Sequence, residues 1–339
     1  MPVISSTQKK WRLLRNYVGG YPMWCAWQVT YRCNFRCGFC DYWRDPMGAR
    51  AEQTVAQFVA GSRKLATMGS QLISLAGGEP LLREDLPQIV EAVAEYHLPF
   101  VTTNGYRMTP QRAEALFAAG LWGASVSIDY ADAALHDRRR GQPGAYERAV
   151  AALRQLSAAR KYAWQRVNLM AVLLHDNLDH MEPLIRLARD CDAYFMLQPY
   201  SIRKTGSQHF CSREARVSER LLDLRGRYSN FLSNPFFLHR FDAALDGGVA
   251  GCMAGRAFFN IDSVGDVAVC VERRDRPVGN LYRDAMRTLV ERMRAEASGN
   301  RCRDCWYNCR GEVEGLYHPG GLWRSLPTLL FDRGRPPPG

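Results

Sequence analysis

No apolar run in this sequence approaches the ~18–20 residues that a membrane-spanning helix needs. The first stretch, Met1 to Tyr21, has no apolar core of the kind a secretory signal carries, so the chain reads as cytoplasmic. No internal repeat recurs at solenoid periods, which excludes a stacked-repeat array. Low-complexity sequence is confined to residues 333–339, a Pro-, Gly- and Arg-rich tail expected to be disordered. Apolar residues make up 47% and charged residues 23%, ordinary values that exclude general disorder. At 339 residues the chain has room for one large domain and a smaller appendage.

Two quantities stand out. The net charge is +11, which suits an anionic partner, although scattered arginines balanced by bound anionic groups give the same number. The cysteine count is eleven. In a reducing compartment disulfides are rare, so clustered cysteines point to metal or catalysis. Cys33, Cys37 and Cys40 fall within eight residues, as do Cys302, Cys305 and Cys309, with the spaced pair Cys252 and Cys270 between them. Cys25, Cys191 and Cys211 are isolated, and burial is their default. Cys211, in a polar stretch, is also a substrate-site candidate.

From residue 24 to about 200, short β-rich runs alternate with amphipathic helical ones. Strands are expected at Trp24–Thr30, Leu72–Leu75, Phe100–Thr103, Ala124–Ile128, Val167–Leu174 and Tyr194–Gln198. Helices are expected at Val55–Met68, Asp85–Tyr96, Pro110–Ala119, Tyr146–Arg160 and Leu178–Asp190. Glu84 and Asp85 suit a helix start, as does Thr109 before Pro110. This alternation predicts an α/β fold of parallel strands, as an open sheet or a barrel. Beyond it, a helix is expected over Arg220–Leu232, short strands at Phe258–Ile261 and Val267–Val271, and a helix at Asp284–Ala297. The organisation expected is a basic segment (1–23), the main domain (24–235), a small α+β extension (236–332) and the tail.

The spacing CxxxCxxC, directly after the first strand, supplies three thiolates and leaves one iron of a cubane open, as catalysis requires. A zinc ion completed by a remote ligand is the competing occupant, though no second knuckle lies nearby. With Phe39 just before the last cysteine, the pattern resembles the radical S-adenosylmethionine (SAM) superfamily over residues 24–200. Gly77-Gly78-Glu79-Pro80 after strand two is similar to that family's GGEP motif, and Thr102-Thr103-Asn104-Gly105 to its TNG. The resemblance implies a partial (β/α)6 TIM-type barrel, a [4Fe–4S] cluster on Cys33, Cys37 and Cys40, and reductive cleavage of SAM to a 5′-deoxyadenosyl radical. It implies SAM contacts from Gly77, Gly78, Glu79, Pro80, Asn104, Ser127, Asp129 and Arg140, with Phe39 beside the cluster. Asn168 and Gln198, on strands five and six, either face the barrel interior or are satisfied core amides.

Cys252, Cys270 and the Cys302/Cys305 pair supply four further thiolates, with Gly265 turning a hairpin that carries Cys270 back. Cys309 is a fifth, a rival ligand or a spare. The arrangement resembles the twitch/SPASM extension, which implies an auxiliary [4Fe–4S] cluster; structural zinc is the alternative. Together the two resemblances imply a radical SAM enzyme that dehydrogenates or epimerises a small biosynthetic intermediate, receiving electrons from a donor such as flavodoxin or ferredoxin. No peptide-recognition domain precedes the barrel, which leans towards a small substrate. A peptide- or lipid-modifying member of the class is the alternative, and a non-catalytic Fe–S or zinc protein binding nucleic acid a remote one; DNA is not an expected partner. Lys9–Tyr17, basic and amphipathic with Trp11, Leu14 and Tyr17 or Val18 on one helical face, can pack across the barrel bottom or make a peripheral membrane contact. The residue serving as base or hydrogen donor cannot be named from spacing.

Overall fold

The computed structural model describes residues 6–318 except residue 163; the tail expected over 333–339 lies outside the described residues. Along the chain come helix α1 (Ser6–Val18), β1 (Trp24–Thr30), α2 (Val55–Leu65), β2 (Leu72–Gly77), α3 (Leu86–Ala94), β3 (Leu98–Thr103), α4 (Pro110–Ala118) and β4 (Gly123–Ser127). They are followed by α5 (Ala133–Arg140), α6 (Ala145–Ala159), β5 (Arg166–Leu173), α7 (Met181–Asp190), β6 (Tyr194–Pro199), α8 (Val217–Arg227), α9 (Pro235–Leu238) and α10 (Phe241–Leu245). The remainder is β7 (Phe258–Ile261), β8 (Asp266–Ala268), β9 (Gly279–Asn280), α11 (Met286–Ser298) and α12 (Asn308–Glu314).

Strands β1 to β6 are parallel and pair in sequence order, forming the open, partial (β/α)6 barrel. The sheet does not stop at β1. β7 pairs with β1 in parallel, Trp24 opposite Phe258 and Trp27 opposite Ile261, and β8 and β9 continue antiparallel beyond it. The C-terminal region thus extends the barrel sheet instead of standing off from it.

The two-residue period of a strand sorts side chains between two environments. Cys25, Trp27 and Val29 of β1, with Ile73 and Leu75 of β2, are fully buried against the outer helices, alongside Phe58, Ile89, Leu116, Leu153 and Ile185. Their alternates, among them Gln28, Ser74, Ser125, Asn168 and Gln198, line the interior. The isolated cysteines Cys25 and Cys191 are buried in this core.

Helix starts follow side-chain chemistry. Thr54 and Gln57 form a reciprocal capping box on α2. Thr109 accepts from Arg112 N at 3.2 Å, with Pro110 first in α4. Asp85, by contrast, caps no amide of α3; its carboxylate accepts from two guanidinium nitrogens of Arg83, each at 2.7 Å. Ahead of Gly141 the chain forms α5, which carries Arg140. Asp132 caps it by accepting from Leu135 N at 2.7 Å, and Gly141 ends it at φ +64°. Helix α8 begins and ends earlier than Arg220–Leu232, because Asp242, far along the chain, accepts from Val217 N at 2.8 Å and fixes the start.

A candidate active site between two cysteine groups

The C-terminal ends of the strands converge on one cavity of about 510 Å³, lined by Cys33, Cys37, Cys40, Phe39, Gly77, Gly78, Glu79, Asn104, Ser127, Arg140, Asn168 and Gln198. Cys309, from the other cysteine group, lines the same cavity. Asp129 and Pro80 of the expected set stand behind its wall.

The loop carrying Cys33, Cys37 and Cys40 is clamped on several sides. Phe35 N donates to Cys33 Sγ at 3.4 Å, and Trp43 Nε1 donates to the Cys37 carbonyl at 3.3 Å. Phe35 and Phe39 join Tyr130, Leu174 and Tyr200 in a small core beneath it. From β2, Gly78 N donates to Thr30 O at 2.9 Å and Glu79 N to Arg32 O at 2.8 Å. Gly77 sits at φ +134°, and a Cβ there would run into the Thr30 carbonyl; one on Gly78 would meet that of Arg32. The glycines are required because two backbones touch.

Glu79 is 1% exposed, yet its carboxylate is fully used. It accepts from Asn104 N at 2.7 Å, Thr103 Oγ1 at 2.5 Å and Leu81 N at 3.0 Å. Burial raises its pKa, and these donors pull it back down. Glu79 therefore fastens the β2 motif to the β3 motif, while Asn104 Nδ2 reaches Asn34 in the cysteine loop at 2.9 Å.

Arg140 is held by Asp129, Nε to Oδ2 at 2.8 Å, and its guanidinium lies over the Phe39 ring at 5.3 Å. Asp129 is wholly buried and also accepts from Val172 N at 2.9 Å, so it aims Arg140 and does not itself face the cavity. Burial pushes the Cys33 thiol up to about 11 and the Cys37 thiol up to about 12, and raises Cys40; Arg140 opposes this at all three.

In the second group the hairpin expected at Gly265 is present: β7 and β8 pair across it, with Gly265 at φ +91° and Asp262 accepting from Val264 N and Asp266 N at 2.9 and 2.8 Å. It brings Cys270 to Cys252, Cys305 and Cys309. Burial raises all four thiols, Cys270 to about 11, and charge repulsion from Cys309, Cys252 and Cys270 raises Cys305 further. Cys302 is placed differently, its thiol 3.7 Å from Asp304 Oδ2. Arg310, fully buried behind this group, donates to Cys305 O at 2.8 Å and pairs with Glu314 at 3.1 Å.

Between the groups lies an arrangement that sequence reasoning missed. Lys204 pairs with Glu272 at 2.8 Å and lies 4.8 Å from the centre of the Tyr42 ring, and Tyr307 donates to Glu272 at 2.8 Å. No spacing in the sequence marks Lys204. Arg166 in the lower cavity, by contrast, could have been found by running the strand period back from Asn168. Asn168 Oδ1 is buried without a partner, and Gln198 Oε1 accepts from Asn308 N at 3.4 Å. Cys211 lies outside the cavity lining, packed near Tyr200 and Phe210.

Residues 27–188 match the family model of the Radical SAM superfamily. The mycofactocin maturase MftC of Mycolicibacterium smegmatis is 28% identical over 331 residues, 91% of this chain and 82% of its own. An AdoMet-dependent heme synthase of Nitratidesulfovibrio vulgaris is 25% identical, covering 87% of this chain and 88% of its own. Among solved structures, SuiB of Streptococcus suis bound to precursor peptide SuiA superposes with a TM-score of 0.63 at 17% identity, over 81% of this chain and 65% of that one. anSMEcpe with bound AdoMet gives 0.63 at 17% identity, over 82% and 83%. Residues 27–188 of this chain are a radical SAM domain, of the family whose cofactors are a [4Fe–4S] cluster and S-adenosylmethionine, and a cysteine-rich C-terminal extension follows it.

Proposed function

We propose that this radical SAM enzyme oxidatively modifies a peptide substrate held between a SAM-binding cluster on Cys33, Cys37 and Cys40 and an auxiliary [4Fe–4S] cluster on Cys252, Cys270, Cys305 and Cys309. The observation that carries the reading is the shared cavity, walled by the first three thiols at one point and by Cys309 at another. When bound, the cluster and SAM supply hydrogen-atom abstraction from an unactivated C–H bond. The donor sets suit cubanes. A zinc ion with bonds of about 2.3 Å draws its sulfurs to within about 4 Å of one another. Among the described residues no three His, Cys, Asp or Glu side chains converge on a single-ion site. The thiols nonetheless interact electrostatically within two groups, Cys33 with Cys37 and Cys40, and Cys309 with Cys252, Cys270 and Cys305.

The chain's own residues orient and exclude. Arg140, aimed by Asp129, presents a cation that would hold the SAM carboxylate, and Ser127 lines the same cavity as a further polar contact. Asn168 Oδ1 offers an unused acceptor to a substrate N–H. Lys204 and Tyr307 line the same cavity, and Glu272 ties them together. The maturase likeness over most of the chain supports a peptide; an intermediate without a peptide backbone is the second reading, favoured by the apolar lower cavity around Trp24, Leu72 and Phe100.

The test uses anaerobically reconstituted protein with dithionite, reading iron content, 5′-deoxyadenosine and the mass of short peptides encoded beside the gene. Cys40→Ala should abolish SAM cleavage. Cys309→Ala should halve the iron and keep uncoupled cleavage but lose product, whereas Cys302→Ala should keep both clusters. Loss of two hydrogens from a peptide supports the peptide reading. Stimulation of 5′-deoxyadenosine formation only by peptide-free metabolite extract would transfer it to the second. Full iron in Cys309→Ala would remove Cys309 from the ligand set.

A further inference from the structure

The large apolar side chains exposed among the described residues are Trp11 at 68%, Leu14 at 39%, Val18 at 78% and Tyr162 at 59%. Three of the four lie on α1, at positions i, i+3 and i+7. At 100° per residue they fall within about 60° of arc, a single stripe along the helix. The opposite face is fastened down. Lys9 donates to the Ala94 carbonyl, Asn16 Nδ2 to Ser70 O at 2.6 Å, and Tyr17 OH to Leu316 O at 3.0 Å. The helix is pinned across the barrel bottom with its apolar stripe turned outward and cannot roll to bury it.

The charge around the stripe has one sign. Lys10 and Arg12 flank it on either side, Arg15 lies beside Val18, and the helix contains no acidic residue. Directly past its C-terminal end, Gly20, Arg256 and Arg294 line a second cavity, with Arg256 and Arg294 both exposed. Arg294 donates to Gly20 O at 3.2 Å, and its guanidinium lies 5.3 Å from the centre of the Tyr21 ring. That cavity continues the basic surface of the helix.

An apolar stripe bordered by cations, followed by an arginine-lined recess, is the chemistry that recognises an anionic bilayer: side chains enter the acyl boundary while phosphates meet the arginines. A nucleic acid would satisfy the cations but leave Trp11 and Val18 in water. A second copy of this chain would bring its own cations against them. We infer that α1 docks the protein peripherally on an anionic lipid surface, with the barrel bottom towards the membrane and the cysteine groups away from it.

Reconstituted full-length protein is sedimented with vesicles of phosphatidylcholine alone or mixed with phosphatidylglycerol. Binding should favour the anionic vesicles by about tenfold and weaken in about 0.5 M salt. Trp11→Glu with Val18→Glu should lower it by about tenfold, with iron content, melting temperature and 5′-deoxyadenosine formation unchanged, because these two side chains are mostly exposed. Arg256→Gln with Arg294→Gln should lower only the preference for anionic lipid. Failure of the wild type to bind, or equal binding by wild type and the Glu variant, overturns the inference. So does a concentration-dependent dimer abolished by the Glu variant, which would assign the stripe to a second copy.

Discussion

At the scale of residues, the site depends on groups that do one thing and cannot be exchanged. Gly78 accepts no side chain because the Arg32 carbonyl occupies the place of its Cβ. Glu312 shows how burial leaves a titration signature. It lines the cavity, accepts from Asn234 N at 3.1 Å, and burial lifts its carboxyl from 4.5 to about 7. The folded protein then holds a proton that the unfolded chain has released between those values, so stability falls as pH rises from about 4.5 through about 7. Because the side chain is partly open to the cavity, the effect should be about 1 kcal/mol, below the full linkage value. Glu312→Gln should flatten the change in melting temperature between about pH 5 and pH 8. An unchanged pH slope in the variant would remove Glu312 as its source.

At the scale of elements, the alternation of strands and helices was readable in the sequence as a parallel α/β fold, while the barrel and the motif residues that line the cavity came with the family resemblance. Phe258–Ile261 and the hairpin at Gly265 were readable too, since β-rich runs around a turn glycine are local signals. What could not be read was set from a distance. The start of α8 depends on Asp242, and Lys204 acquires its place only when Glu272 and Tyr307 fold up to it. Helix α5 was obscured because its sequence, Ala133–Arg140, has little apolar periodicity to announce a buried face. Nor could spacing say that Cys309 interacts electrostatically with Cys252 and Cys270 while the Cys302 thiol lies 3.7 Å from Asp304 Oδ2. Helix α12 supplies a prediction at this scale. Its buried Arg310 pairs with Glu314 and also donates to the carbonyls of Cys305, Val249 and Ala250, so Arg310→Leu should cost about 3 kcal/mol, and adding Glu314→Leu should recover only the part due to the stranded carboxyl. Denaturant midpoints of the cluster-loaded protein measure it; a double variant no more stable than the single would show that the pair is not the source.

At the scale of the whole molecule, the notable feature is continuity of the sheet. A chain ending at Asn234 would lose β7 and expose the hydrogen-bonding edge of β1. It should aggregate or fail to hold iron, and a soluble, monomeric, iron-loaded fragment in size-exclusion chromatography would contradict this. No helix among the described residues is long and apolar enough to cross a membrane, so the lipid contact inferred for α1 is a resting contact. The pairing of β7 with β1 also has an electronic consequence. The strand that launches Cys33 and the strand that opens the auxiliary hairpin are immediate neighbours, one step of about 4.8 Å apart. The separation of the two proposed cluster sites is therefore written into backbone hydrogen bonds, so an electron passing between clusters held there would not wait for a hinge to close, and its tunnelling distance should hold constant through every turnover.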